Sequence, residues 1–99
     1  MEIVNKAEGT KMTMEISGWL DTQTAPQLEE ALSALDGSVT SLVFDFAKLE
    51  YISSAGLRQV IVAYKKMADK DGFKIINISD EVYDVFKLTG FDQKINIEK

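Results

Sequence analysis

The chain contains 99 residues, of which 45% are hydrophobic and 27% are charged, a composition that fits one folded domain and excludes a disordered chain. It has no cysteine and no histidine, which excludes a disulfide framework, a thiolate or imidazole catalyst and the usual transition-metal sites. The net charge is −5 and the 11 basic residues are scattered, so nucleic acid is not an expected partner.

The first third of the chain predicts a β-hairpin followed by a helix. Residues 12–16 alternate between apolar and polar, as in a half-buried strand, and a polar turn at residues 8–10 separates them from the apolar pair at 3–4. The helix is expected to begin after Thr24 as its N-cap and to end at Asp36-Gly37. Its apolar face would consist of Ala25, Leu28, Ala31, Leu32 and Leu35.

The middle of the chain predicts a central strand and a second helix. Residues 42–46 are almost continuously apolar, which is typical of a strand covered on both faces. The second helix follows the pair Ser53-Ser54 and stops at Lys70-Asp71-Gly72. Its apolar positions are Leu57, Val60, Ile61, Tyr64 and Met67 or Ala68.

The last third predicts a strand at residues 75–78, a helix over residues 82–89 that Gly90 closes, and a weak strand at residues 95–97. The predicted order is ββαβαβαβ. Alternating strands and helices favour parallel pairing with right-handed crossovers. We therefore predict a single α/β domain over residues 1–99, with a mixed, mostly parallel sheet of about five strands and three or more helices.

No group of residues predicts a catalytic site. Gly56 and Gly72 are isolated, unlike the glycines of a phosphate-binding loop, and Asp69-Lys70-Asp71-Gly72 lacks the third early ligand and the closing glutamate of a calcium loop. Asp21 and Asp45 stand near the ends of predicted elements, where acidic side chains usually bind backbone N–H groups. We expect no catalytic residue, no metal and no cofactor.

The turn before the second helix carries two serines, Ser53 and Ser54. Serine is a preferred N-cap, so Ser54 can be interpreted as a capping residue. It can also be interpreted as a phosphorylation switch, because a phosphate suits the helix dipole and adds about two negative charges to the surface. The residues alone leave both interpretations open.

Four segments in order resemble the STAS domain family of anti-sigma factor antagonists. Gly18-Trp19-Leu20-Asp21, followed by Thr24-Ala25, is similar to the family's Gly-x-Leu-Asp…Thr-Ala opening, and residues 42–46 are similar to its central strand. Residues 49–57 resemble its Leu-x-Phe-Ile-Asp-Ser-Ser-Gly-Leu turn, and residues 88–91 resemble its closing Leu-Thr-Gly-Leu. The resemblance spans the whole chain.

The resemblance implies a binding protein and not an enzyme. In the family, the serine that matches Ser54 is phosphorylated by a partner that is both anti-sigma factor and serine kinase. The unphosphorylated form binds this partner and frees the sigma factor, and a separate phosphatase removes the phosphate. This sequence has Ser53 in place of the family's aspartate and Ala55 in place of its second hydroxyl residue, which makes Ser53 an alternative acceptor. The implied partner-binding residues are Asp21, Thr24, Ser53, Ser54, Ala55, Gly56 and Arg58.

Two other functions are considered. Loss of the family aspartate gives some support to a STAS subunit of a membrane lipid-transport ABC complex, which binds an ATPase subunit without phosphorylation. A phosphocarrier or small enzyme is disfavoured by the missing histidine and cysteine. No signal-peptide pattern and no apolar run of about 20 residues is present, so we expect a bacterial cytoplasmic protein that does not insert into membranes. Alone, it is expected to be a monomer.

Overall fold

The computed structural model describes residues 1–99 and contains six strands and three α-helices. The strands are β1 (Glu2–Glu8), β2 (Lys11–Leu20), β3 (Ser41–Asp45), β4 (Leu49–Ile52), β5 (Gly72–Ile76) and β6 (Asn96–Glu98). The helices are α1 (Ala25–Ser33), α2 (Ser54–Lys66) and α3 (Asp80–Thr89), and a short 3-10 turn, Phe91–Gln93, precedes β6. The structure confirms the α/β class and the mostly parallel sheet, and it adds one strand, β4, to the predicted order.

The sheet is built around the long strand β2. β1 is antiparallel to β2, and the order continues in parallel through β3, β5 and β6. β3 pairs with the first half of β2, whereas β4 pairs in parallel with its last three residues, Gly18 to Leu20. β2 therefore connects the main sheet to the segment that leads into α2.

The added strand β4 lacks the alternation by which a half-buried strand is recognised. Leu49 and Ile52 are both buried, and the two residues between them, Glu50 and Tyr51, are exposed. The register with β2 shifts within this strand, so β4 contains a bulge. The shift removes the period of two that sequence analysis depends on.

The core is a cluster of 20 buried residues between one face of the sheet and the helices. Leu42, Val43 and Phe44 of β3 are all buried, as the apolar run predicts. Val43 lies outside this cluster, on the other face, where its neighbours in the ladder are Thr13 and Lys74.

The helix ends differ from the predictions at two places. α1 ends at Ser33, before the predicted Asp36, and α2 ends at Lys66, with Gly72 beginning β5 instead of closing the helix. α3 ends as predicted at Gly90, which has a φ of 81°. None of the helices has the length and apolar character needed to cross a membrane.

Candidate functional site

Two loops meet at the carboxyl ends of β2 and β4. The pairing of these strands sets Leu20 beside Ile52, and the backbone N–H of Ser53 donates to the Leu20 carbonyl at 2.9 Å. Residues 21–24, which follow β2, therefore lie next to the turn that follows β4. The structure thus brings together the two segments that hold the residues predicted to bind a partner.

The two serines of the second turn have different roles. Ser53 is the N-cap of α2: its backbone is extended and its hydroxyl oxygen accepts a hydrogen bond from the Gly56 N–H at 3.2 Å. Ser54 is the first residue of the helix, is exposed, and has a hydroxyl without a hydrogen bond inside the chain. The interpretation of Ser54 as the N-cap is therefore wrong, because the cap lies one residue earlier.

Ser53 occupies the position at which the resemblance places an aspartate. Aspartate and serine are about equally good N-caps, since each offers an oxygen to an unpaired N–H of the first turn. The exchange therefore keeps the local geometry that the helix needs. What it removes is one negative charge next to Ser54.

Asp21 and Thr24 hold the neighbouring loop in place. The Thr24 hydroxyl accepts from the Asp21 N–H at 2.8 Å and donates to the Trp19 carbonyl at 2.7 Å. The Asp21 carboxylate accepts from the N–H groups of Gln23 and Thr24 at 2.9 and 3.1 Å. Thr24 is the N-cap residue of α1, as predicted, but its side chain makes no capping hydrogen bond. Both side chains shape the loop from within.

Gly56 is buried at the contact between α2 and β2. A Cβ at this position would lie 2.5 Å from the carbonyl oxygen and 2.7 Å from Cγ of Leu20. Real Cβ atoms do not approach other atoms so closely, so the absence of a side chain is what lets the helix sit on the strand. Leu20 of the same chain fills the space in front of Gly56, so packing within the chain already accounts for the glycine, and its role in partner binding stays a prediction.

The remaining predicted residues of this segment point in different directions. Ala55 is half-buried, whereas Arg58 is exposed. Arg58 follows Ser54 by one helical turn, so both lie on one side of α2. It is the only arginine in the sequence, and it forms none of the four ion pairs of the structure.

Two aromatic residues beside the site were not among the predicted partner-binding residues. Trp19 and Tyr51 are 56% and 45% exposed, and their ring centroids lie 5.0 Å apart. The structure places Trp19 at the surface. The alternation of side chains along β2 explains this position. Met14, Ile16 and Leu20 are buried on one face of the strand, so Trp19 lies on the opposite face.

The other candidate carboxylate, that of Asp45, binds backbone and amide groups. It accepts from the Ala47 N–H at 3.0 Å and from the Asn77 side-chain amide at 3.2 Å. Asp21 and Asp45 thus both satisfy donors in their own surroundings, as expected of acids in such turns. No group of acidic side chains is arranged to hold a metal ion.

Shifted pKa values occur in other parts of the chain. A hydrogen bond from the Ser38 side chain lowers the pKa of Asp36, in the loop between α1 and β3. A hydrogen bond between the Asp80 and Lys99 side chains, together with their opposite charges, lowers the pKa of Asp80 and raises that of Lys99.

The family model described as "STAS domain" matches residues 2–99 of this chain. The chain is 35% identical over 78 residues to the putative anti-sigma factor antagonist BtrV of Bordetella bronchiseptica, an alignment that covers 77% of this chain and 67% of the relative. It is 25% identical over 88 residues to an anti-sigma-B factor antagonist of Staphylococcus aureus, with 87% of this chain and 82% of the relative covered.

The fold is also similar to that of a solved structure that is named, like these two relatives, an anti-sigma factor antagonist. The crystal structure of an anti-sigma factor antagonist from Mycobacterium paratuberculosis matches with a TM-score of 0.88 and 26% identity. The match covers 98% of this chain and 84% of the other.

Proposed function

Because this chain belongs to the STAS domain family, whose model matches residues 2–99, we propose that it is an anti-sigma factor antagonist that binds its partner through the two loops at the ends of β2 and β4. Its relatives of 35% and 25% identity carry this function in their names. By binding the anti-sigma factor, the protein frees the sigma factor that the partner holds.

One observation carries the proposed control of this binding: the Ser54 hydroxyl is exposed and unbonded, while the adjacent Ser53 caps the helix. A phosphate on Ser54 would leave the cap intact. It would add about −1.5 to −2 charges at the first turn of α2, where the helix dipole tolerates negative charge. Phosphorylation would therefore change the surface without unfolding the helix.

We place the acceptor at Ser54 and not at the alternative, Ser53. The Ser53 oxygen already accepts a hydrogen bond from Gly56, and the residue is half-buried. A kinase would have to break the cap to reach it, whereas Ser54 is accessible as it stands. The partner in this scheme is both anti-sigma factor and serine kinase, a separate phosphatase resets the protein, and the chain itself is a substrate.

The alternative function, the STAS subunit of a lipid-transport ABC complex, is supported only by the missing aspartate, whereas the relatives of 35% and 25% identity are named as anti-sigma factor antagonists. Ser53 serves as the N-cap in place of an aspartate, so the exchange removes a negative charge and not the cap. We therefore keep the anti-sigma factor as the proposed partner and place the protein in the bacterial cytoplasm, as a monomer when alone.

The test is an affinity capture from lysate of the source organism, with the bound proteins identified by mass spectrometry. The bait is used in three forms: wild type, Ser54→Asp and Ser79→Asp. Ser79 caps α3 in the way Ser53 caps α2, so its replacement adds the same charge at another helix start. We expect the wild type and Ser79→Asp to capture a kinase-type anti-sigma factor and Ser54→Asp to lose it. Recovery of permease and ATPase subunits instead would support the transporter function and refute ours.

A further inference from the structure

The exposed pair Trp19 and Tyr51 is the most apolar feature of the surface beside the site. Five large hydrophobic residues of the chain are exposed, and these two form an aromatic pair. Their rings are tilted by 40° at a centroid distance of 5.0 Å, which is within the range of favourable aromatic pairs. Roughly half of each side chain nevertheless remains open to water.

A backbone irregularity places Tyr51 in this pair. Gly18 is in register with Leu49, but the next residue, Trp19, is in register with Tyr51, so Glu50 is an extra residue on β4. In a regular strand Tyr51 would share the face of Leu49 and point into the core. The bulge turns it outward next to Trp19, and bulges are known for redirecting single side chains in this way.

The pair is continuous with the proposed switch. Tyr51 precedes Ser54 by three residues, so their Cα atoms are at most roughly 11 Å apart. Trp19 stands on the neighbouring strand, two residues before the Asp21 loop. A partner that covers Ser54 with an interface of ordinary size, about 800 Å² on each side, would reach both rings.

The surroundings of the pair carry more negative than positive charge, although Lys6 pairs with Glu15 at 3.0 Å. Ser17, on the same face of β2 as Trp19, lines a recess of about 160 Å³ whose charged residues are Glu2, Glu15, Asp45 and Lys48. The exposed Glu50 adds a further carboxylate next to Tyr51. Such a surface favours a partner that brings positive charge, and the face of a tryptophan ring is the preferred aromatic site for a cation.

We propose that Trp19 and Tyr51 are the anchor by which this chain binds its anti-sigma factor, and that the partner covers them with an apolar patch containing an arginine or lysine. This inference rests on the proposed function and extends the interface from the Ser54 turn to the outer face of β2 and β4. Buried aromatic residues at the centre of an interface account for much of the binding energy in protein complexes. Trp19 would therefore contribute affinity, while Ser54 controls it.

The first experiment observes the anchor directly. Because the chain contains a single tryptophan, labelling with 5-fluorotryptophan gives one 19F resonance that reports on Trp19 alone. The probe is the anti-sigma factor recovered by the affinity capture and then purified, and calorimetry measures its Kd independently. We expect its addition to shift or broaden the resonance in proportion to binding.

The outcomes separate this inference from the proposed function. If calorimetry shows binding and the resonance does not change, the anchor is wrong and the proposed function stands. If no anti-sigma factor binds, both fail. If the resonance changes with concentration of the chain alone, the pair is a contact between two copies, and the inference is overturned.

The second experiment compares substitutions at exposed apolar positions. Trp19→Ala and Tyr51→Ala should each weaken binding by about thirtyfold or more, as expected of interface anchors, with Trp19→Phe in between. The matched control is Leu88→Ala, at a residue that is 87% exposed on α3, and its Kd should stay within about twofold of wild type. Circular dichroism verifies that each variant is folded. Equal affinities of Trp19→Ala, Tyr51→Ala and Leu88→Ala would overturn the inference.

Discussion

The hydroxyl oxygen of Ser53 accepts a hydrogen bond from the backbone N–H of Gly56 at 3.2 Å, and this bond decides which of two adjacent serines caps α2. Ser54 is left exposed, with its hydroxyl unbonded. Under the proposed function, stability and switching therefore depend on different side chains. Each can be changed by substitution without changing the other.

Of the two serines, only Ser53 should lower the stability of the domain when it is replaced by alanine. We expect Ser53→Ala to lower the free energy of unfolding by about 1 kcal/mol, because it leaves the Gly56 N–H without its acceptor. For a domain of this size that corresponds to a fall in Tm of roughly 4–8 °C. Ser54→Ala should change the free energy of unfolding by less than about 0.5 kcal/mol. Ser53→Asp, which keeps an acceptor for the Gly56 N–H, should be about as stable as wild type. Urea denaturation of the three variants is the measurement, and a larger loss for Ser54→Ala than for Ser53→Ala would contradict the assignment of the cap.

Enlarging Gly56 should damage the fold itself. A methyl group at this position must displace the Leu20 carbonyl, 2.5 Å away, so Gly56→Ala should lower the free energy of unfolding by about 1–3 kcal/mol. Gly56→Asp should be worse, because it also buries a charge. Gly37→Ala is the control: no atom lies within 4 Å of its added Cβ, and its stability should remain within about 0.5 kcal/mol of wild type. If Gly56→Ala has the same midpoint of urea denaturation as wild type, α2 and β2 are not packed as described.

The features that sequence analysis recovered are those encoded over short distances. The apolar spacing of α2 and the φ of 81° at Gly90 follow from residues within each helix and its end. The position of the α2 cap does not, because Ser53 and Ser54 are equally suitable. Ser53 becomes the cap because β4 holds its N–H against the carbonyl of Leu20, a contact between residues far apart in sequence.

The same reason explains why β4, the exposure of Tyr51 and the packing of Gly56 were not predicted. The bulge at Glu50 breaks the alternation of β4 and exposes Tyr51, and it exists only in the pairing with β2. Gly56 has no φ that requires glycine, and its need for a missing side chain arises from Leu20 on another element. All three features lie in residues 49–57, the segment that the motif resemblance identified. The resemblance could not say which residues face outward.

The ion pair between Asp80 and Lys99 should make stability at acidic pH depend on Lys99. The hydrogen bond from Lys99 lowers the pKa of Asp80, so the stabilisation is present above the ordinary aspartate pKa and is lost as the pH falls through the lowered value, below roughly pH 4. For Lys99, whose pKa is raised, the stabilisation is present below the ordinary lysine pKa and is lost as the pH rises through the raised value.

NMR titration of the side-chain carboxyls tests this assignment. In Lys99→Met we expect the Asp80 pKa to rise towards its ordinary value. The pKa of Asp36, which a hydrogen bond from Ser38 lowers, serves as the internal control and should not move. An unchanged Asp80 titration in Lys99→Met would mean that the ion pair does not persist in solution.

Substitution of Ser54 should separate electrostatic switching from every structural effect. Ser54→Ala removes the acceptor hydroxyl but no hydrogen bond within the chain, so partner affinity should remain near wild type. Ser54→Asp places a carboxylate in the first turn of α2, where the dipole stabilises it, so the domain should be as stable as wild type or slightly more so. Its affinity for the anti-sigma factor should nevertheless fall by about a hundredfold, or about 2.7 kcal/mol, because the charge is desolvated in the interface while the proposed partner cation covers Trp19 and Tyr51 and not residue 54.

Arg58, one turn further along α2, is the nearest group that could weaken this effect by pairing with the new carboxylate. An exposed pair at this spacing contributes only about 0.3–0.5 kcal/mol, far less than the expected loss, so it cannot hide the charge from the partner. Ser54→Asp combined with Arg58→Gln should therefore bind about as weakly as Ser54→Asp alone. Calorimetric affinities of these variants, with Ser79→Asp as the charge control, decide the matter. If Ser54→Asp binds as tightly as Ser79→Asp, negative charge at this position does not release the partner, and control by phosphorylation of Ser54 is wrong.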